Sequence, residues 1–558
     1  MKNNRLKFKR TLDTVFDRAN EKCDRGDYLS ALSSLLNEME LRPDNAEICA
    51  HLADIYTELG LFENGISMWF KYLLRAKEGS YWEAFNGLGA CFYFLENKYL
   101  AGYYFNEQLM RREEIDGVYA EVMEEYLEEL SQSERLKFSL LKDKTREDLD
   151  REVLQRALSF SNGQDVDKTL EVLSQIEKDS PIFGEVEFEK ACLYLNVGDF
   201  SNSYESAKSA IHSGFKDLTL LSLAIDLSSA MGLDDAKRYK EILLQYKPKD
   251  DEEKYKKLNS LCDYGFFDEA LEVANELLLE NYNDANTSYV KGFLLYNKGD
   301  YKGAETCFKN AYLLSYSYPS LYYLKVAQSA IDGNVLYKQL KVEFAVPESV
   351  AKEYTDIIKG FINGEKTLIE YSDSQLLELA DWCFSTKDDN LQFSLGWIYI
   401  RSCDERLLRK IKEQLVNPSV SDSVKQSLIS ILCDTTTEPR VKVVYENFFM
   451  ALKFNRPDFK EENRELFKKA YAKAFGRLSI LNLDKLYRLS IGAMELQNEL
   501  IASGKIDEVK SISCLACAMY FYSGLNVFSS NESAYEVFGA KKEEVIQILK
   551  YTEIKDEN

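Results

Sequence analysis

The chain is poor in the residues that break helices, with 8 prolines and 26 glycines among 558 positions. That scarcity argues against a turn-rich all-β architecture and favours helix. Histidine is rarer still: the chain has 2, His51 and His212. Both general-base chemistry and a Ser–His–Asp triad are therefore hard to assemble. Positive charge is also in deficit, 70 basic against 93 acidic side chains for a net of -23. A field of that sign repels nucleic-acid phosphates. No apolar run approaches the ~18 residues of a membrane span. The basic start meets Asp13, Asp17 and Glu21 rather than the apolar stretch of a signal peptide. The 11 cysteines are odd in number and scattered. Reduced, buried thiols in a cytoplasmic protein suit them better than a disulfide framework. What is abundant is core material, 45% hydrophobic with 13% aromatic, which excludes wholesale disorder.

A pattern recurs along the first part of the chain. Gly292 sits in an aromatic-apolar run that ends at Gly299-Asp300-Tyr301 and continues through Ala304, Phe308 and Ala311. The same pattern lies 34 positions earlier, where Gly265-Phe266-Phe267 precedes Ala270, Ala274 and Leu277. With a one-residue slip it returns at Gly198-Asp199-Phe200, followed by Ser203, Ala207 and Ala210. Gly26-Asp27-Tyr28 and Gly60-Leu61-Phe62 keep the register near the start. Weaker copies over 82–115, 150–183 and 217–250 bring the total to about eight. In these, Asn97 is expected to end a first helix in the left-handed backbone that glycine takes elsewhere, and Gln164 replaces that glycine.

Two helices of about a dozen residues, joined by tight turns, fill such a period. Small residues fall where the helices of one pair cross, and aromatics fill the gaps between pairs. The residues and period resemble the tetratricopeptide repeat family over roughly residues 10–330. The resemblance implies an all-α fold, a tetratricopeptide-like α-solenoid in which helix pairs wind as a right-handed superhelix. N-terminal repeats then occupy 1–116, a connecting helical segment 117–150 and a second array 151–344. One more helix pair is expected after Pro319.

From 345 the signature fades. A helical solenoid-like region is read over 345–438 and an irregular helical C-terminal module over 439–558. Within that module Val441, Val443 and Tyr445, then Met450, Leu452 and Phe454, alternate with outward positions about Glu446-Asn447. This predicts a β-hairpin near 440–455, although periodicity alone leaves a helix open. Helices are predicted over 459–475, 482–502, 508–523, 531–538 and 541–552. The last three have a helix-turn-helix spacing, but Glu543 and Glu544 stand beside Lys541 and Lys542 and would face phosphates badly.

In the resembled family the first helix of each pair lines a concave groove. Carried over by position, Tyr289, Phe293, Tyr296 and Asn297 face that groove, joined by Tyr322 and Tyr323 from the next helix. Aromatic anchors with an amide nearby suit the gripping of a peptide or partner helix. The carboxylate clamp of co-chaperone repeats is incomplete. Asn20 and Asn259 match its first Asn, but Phe16 or Tyr255 stands at its Lys, and Ala50 or Val290 at its second Asn. Cys514-Leu-Ala-Cys517 lacks a second ligand pair, so no metal site is assigned. With no phosphate loop and no catalytic constellation, no catalytic residue and no cofactor is assigned either. Lys460, Arg464, Lys468 and Lys469 fall at helical spacing as a basic docking stripe. The plainer alternative is a solvated face of Glu–Lys pairs.

These readings converge on a non-enzymatic adaptor or scaffold that binds a protein or peptide in the groove and has no membrane partner. The alternative is a repeat-containing regulator whose C-terminal helical module contacts nucleic acid, against which the overall acidity argues.

Overall fold

The computed structural model describes residues 12–110, 145–162, 165–481 and 486–552. The connecting segment predicted over 117–150 lies outside them up to 144, as do Gln164 and the start of the helix predicted from 482. The chain forms two compact units. One is drawn from Met1–Ser133, Leu313–Tyr322 and Ala345–Asn558, the other from Glu134–Tyr312 and Tyr323–Phe344.

The N-terminal repeats are three helix pairs: α1 (Leu12–Asp24) with α2 (Tyr28–Leu41), α3 (Ala46–Glu58) with α4 (Phe62–Arg75), and α5 (Tyr81–Phe94) with α6 (Lys98–Leu109). The second unit continues with α7 (Arg146–Asn162), α8 (Val166–Leu173), α9 (Phe183–Asn196) and α10 (Phe200–His212). After them come α11 (Leu218–Ala230), α12 (Asp235–Gln245), α13 (Asp251–Asp263) and α14 (Phe267–Glu280). Then follow α15 (Ala285–Asn297), α16 (Tyr301–Ser315) and α17 (Tyr318–Ile331). The remaining helices are α18 (Glu348–Asn363), α19 (Asp373–Ser385), α20 (Asp389–Ser402), α21 (Glu405–Leu415) and α22 (Asp422–Thr435). Strands β1 (Arg440–Tyr445) and β2 (Phe448–Lys453) separate these from α23 (Arg464–Leu478), α24 (Tyr487–Ala502), α25 (Ile512–Tyr522), α26 (Asn531–Phe538) and α27 (Lys542–Lys550). Among the described residues each unit is thus built of helices, paired at a tetratricopeptide-like period in the repeats, and the first unit carries one small hairpin.

The repeated turn explains the pairing. Gly299 takes φ +81°, and Asp300 then accepts a hydrogen bond from the Gly303 N–H at 2.9 Å, capping α16. Asp27, Asp165 and Asp199 cap α2, α8 and α10 in the same way. Asn97 differs from expectation. It caps α6 at φ −85°, and the left-handed residue is Glu96 at φ +58°. The amide is worth more to the orphan N–H of Leu100, 3.1 Å away, than to a left-handed turn. Inside a pair the small residue is a steric requirement: a Cβ on Gly292 would meet Phe308 Cε1 at 2.7 Å.

The helix pair expected after Pro319 does not form. Only α17 appears, stopped where the Asn334 N–H bonds Ser329 O at 2.8 Å. Residues 332–347 run without regular structure, with bends at 338–339 and 344–345.

The hairpin has the expected place and register, pairing Val441 with Leu452 and Tyr445 with Phe448 around Glu446-Asn447, both left-handed. Its outward positions were expected in solvent, yet Val444 is 0% exposed. Val441, Val443, Tyr445 and Leu452 join the core of the C-terminal helices, while Val444, Phe448 and Phe449 pack against that of the N-terminal repeats. Lys442 Nζ donates to the carbonyls of Leu73, Leu74 and Ala76 at 2.8, 2.9 and 2.8 Å, capping α4 with a cation where the helix dipole is negative. Tyr104 Oη donates to Asn447 O, and Arg440 pairs with Glu78 at 2.6 Å. Within the first unit the hairpin is thus the wedge that closes 12–110 onto 345–552.

Beneath it lies a buried lysine. Lys425, 1% exposed, donates from Nζ to Val444 O at 2.6 Å, and Asp422 is 3.8 Å away. Burial, opposed by Asp422, pushes the ammonium down to about 8. The native state therefore releases this proton before the unfolded chain does, and stability rises with pH between about 8 and the ordinary lysine value. Lys425→Met removes that rise. The difference in unfolding free energy between wild type and variant grows by roughly 2 kcal/mol from pH 7.5 to 10. Parallel stability curves across that window would refute the assignment.

Candidate functional site

On α15, Tyr289, Phe293, Tyr296 and Asn297 recur at one helical face, as their spacing dictates. The face is not open. Tyr289 is 3% exposed, Phe293 0% and Tyr296 2%. Two things cover it, both within the second unit. One is an aromatic cluster: Phe293 meets Tyr289, Phe308 and Tyr323 at ring separations of 5.0, 5.1 and 4.5 Å. The other is the chain's own segment 334–344.

That segment is held by its backbone. The Asn297 carboxamide donates from Nδ2 to Leu340 O at 2.8 Å and accepts from the Leu340 N–H at 2.7 Å. Tyr296 Oη donates to Tyr337 O at 3.1 Å, and Tyr289 Oη to Glu343 O at 2.7 Å. The contacts order the segment from the C-terminal end of α15 back toward its N-terminus. Leu340 is 5% exposed, Val342 packs on the core of the second unit, and Phe344 stacks on Tyr289 with centroids 5.2 Å apart. Burial raises the Tyr289 phenol, with Tyr323 and Glu343 adding to it, and burial likewise raises Tyr296 and Tyr323. All three stay neutral, so Tyr289 and Tyr296 keep their protons to donate. The arrangement holds the segment by backbone hydrogen bonds, to which Leu340, Val342 and Phe344 add side-chain packing.

Tyr323 belongs to this cluster. Tyr322 faces the other way, partly buried against the core of the first unit. The segment itself was missed, although the alternation of Leu340, Val342 and Phe344 marks it as a strand-like run that a helix-pair template passes over.

The basic residues near the C-terminus have local partners. Arg464 pairs with Glu461 at 2.6 Å and Asp458 at 3.5 Å, and Lys468 with Glu465 at 2.9 Å. Lys460 is not on the helix with them. The buried Gln497 carboxamide accepts from the Lys460 N–H at 2.8 Å and donates to Lys460 O and Glu462 O at 3.1 and 2.8 Å. This holds the loop out of helical geometry until Arg464. Lys469 is exposed. In the last helices Lys541 pairs with Glu544, and Lys542 with Glu532. Cys514 and Cys517 are core residues at 1% and 0% exposure. Among the described residues no helix is long and apolar enough to cross a membrane.

In the second unit, then, the α15 face of the paired helices is covered by the chain's own segment 334–344. No family model matches the sequence, and no curated protein matches it. Among solved structures the chain is similar to the TPR2AB domain of yeast Sti1 in its pHSP90 complex, at 13% identity. That match covers 58% of this chain and 96% of the other, with a TM-score of 0.20. It is also similar to the P58(IPK) TPR domain, at 13% identity over 58% and 99% of the two chains and a TM-score of 0.20. Yeast Tom70 overlaps at 11% identity over 96% and 95%, with a TM-score of 0.19. At such scores these likenesses add nothing to what the helix pairs of this chain show by themselves.

Proposed function

We propose that this chain is a non-enzymatic interaction scaffold whose second array grips a partner's extended polypeptide along α15. The observation that carries the reading is the two-way hydrogen bond between the Asn297 carboxamide and the Leu340 backbone. It is the contact a peptide would receive, made here to the chain's own segment. A partner segment takes the place of 334–344, offers its backbone to Asn297, Tyr296 and Tyr289, and carries apolar residues at alternate positions as Leu340, Val342 and Phe344 do. Binding exchanges one seated segment for another, so the partner has to outcompete 334–344 for the same hydrogen bonds.

The test uses the segment as its own probe. In a full-length variant, 337–344 is replaced by glycine and serine of equal length. A labelled peptide of sequence 334–346 is then titrated, with anisotropy as the readout. The variant binds the peptide with saturation, wild type binds it at least about tenfold more weakly, and Asn297→Ala in the variant background abolishes binding. A variant of native helix content that leaves the peptide free would end this reading.

A further inference from the structure

The run of basic residues from Lys453 to Arg477 is only partly explained by local pairing. Lys473 and Arg477, one turn apart on α23, line a cleft of about 560 Å³ in the first unit. That volume lies in the range of small-ligand sites, about 300–1,000 Å³. One wall is apolar. Phe393 and Trp397 meet edge to face with centroids 6.0 Å apart, and Ile400, Ile431 and Ile512 extend the surface. Trp397 is 50% exposed, although a bulky indole gains most from burial.

Lys473 and Arg477 are half-buried, and their polar contacts are neutral. Lys473 Nζ donates to Ser513 Oγ at 2.5 Å and Arg477 Nη1 to Gln426 Oε1 at 3.3 Å. Among the described residues neither is in an ion pair. Burial holds both below their ordinary values, and Arg477 adds to the effect on Lys473. In a chain of net charge -23, two adjacent cations withdrawn from water without a carboxylate are unfavourable unless an anion joins them. The guanidinium fork and the ammonium together match the two oxygens of a carboxylate. Asp389, Asp434 and Lys469 also line the cleft, Lys469 acting on Asp434, so the three cations exceed the two carboxylates by one charge and suit a single negative charge better than a polyanion. The apolar wall in turn suits an apolar body.

We propose that this cleft binds a singly charged carboxylate carrying an aromatic or branched aliphatic group. The carboxylate lies on Lys473 and Arg477, and the apolar part on Trp397 and Phe393. Such a group arrives as the last residue of a polypeptide or as a free organic acid. The full chain is titrated at low ionic strength with N-acetylphenylalanine, its carboxamide, and a hexapeptide ending in free or amidated phenylalanine. Heat of binding and tryptophan fluorescence are followed. The free carboxylates bind with saturation, their amides bind at least about tenfold more weakly, and Lys473→Gln and Arg477→Gln each lose about tenfold. Trp397→Phe removes the fluorescence response. Tighter binding of the hexapeptide supports the site with a polypeptide terminus as its source, and equal binding of the two acids supports it with a free acid. Absence of binding, equal binding of acid and amide, or full affinity in both glutamine variants overturns the proposal. Because both cations lack a carboxylate, the glutamine variants keep the wild-type unfolding midpoint. A lowered midpoint in both marks a structural role and also overturns it.

Discussion

Glu413→Ala lowers the stability of the first unit by about 3–5 kcal/mol. Glu413 on α21 pairs with Arg75 at the end of α4, Oε1 to Nη2 at 2.6 Å, and the two side chains are 16% and 6% exposed. Arg75 Nε is also tied to Pro43 O. Lys71, its cation 4.7 Å over the Tyr316 ring, and Lys410 act on the same carboxylate. Removing Glu413 leaves Arg75 and Lys71 desolvated with no counter-charge at this point, whereas Lys410 keeps Asp381 at 2.5 Å. Burial alone would raise the Glu413 carboxyl, but Lys71, Lys410 and Arg75 outweigh it and hold the group below its ordinary value of 4.5. Its contribution is therefore complete above that value and is lost as pH falls through the depressed native one. Wild type loses this part of its stability on acidification, and the variant has none to lose. Urea unfolding read by tryptophan fluorescence is the measurement, since Trp69, Trp82, Trp382 and Trp397 all lie in the first unit. A change below about 1 kcal/mol would mean that the charges are solvated, as in a surface pair.

Phe293→Ala lowers the stability of the second unit by a similar amount, about 3–5 kcal/mol. The ring is fully buried among Tyr289, Phe308 and Tyr323, and alanine leaves a cavity that three aromatic neighbours cannot close without moving. This unit has no tryptophan, so helix content by circular dichroism during urea unfolding is the readout. Asn297→Ala separates binding from folding. It loses the two hydrogen bonds to Leu340 but no packing, for about 1–3 kcal/mol. Partner capture that fails in Phe293→Ala therefore reports a damaged core, while failure in Asn297→Ala reports a lost grip. Equal destabilisation by the two variants would contradict this division.

Much of the architecture was legible because it is local. Gly299-Asp300 and its earlier copies announce a left-handed stop followed by a capped start, and both events are settled within four residues of chain. The hairpin was legible for the same reason, as its turn and alternation lie within one short stretch. The misreadings share another cause. Asn97 could stop one helix or cap the next, and only the Leu100 N–H decides between them. Val444 reads as outward until a second core arrives to bury it. Lys460 fits the helical spacing of Arg464 and Lys468, but Gln497, distant in sequence, holds its backbone elsewhere.

Helix pairing, its period and the turn chemistry follow from residues a few positions apart, where capping, left-handed backbone and side-chain size act directly on the chain. The occupation of the α15 face by 334–344, the wedge role of the hairpin and the adjacency of Lys473 and Arg477 to Trp397 do not follow in that way. Each depends on which buried polar groups find partners across long sequence separations. A carboxamide such as Asn297 has the same propensity whether it faces water or Leu340, and only the assembled chain selects between them.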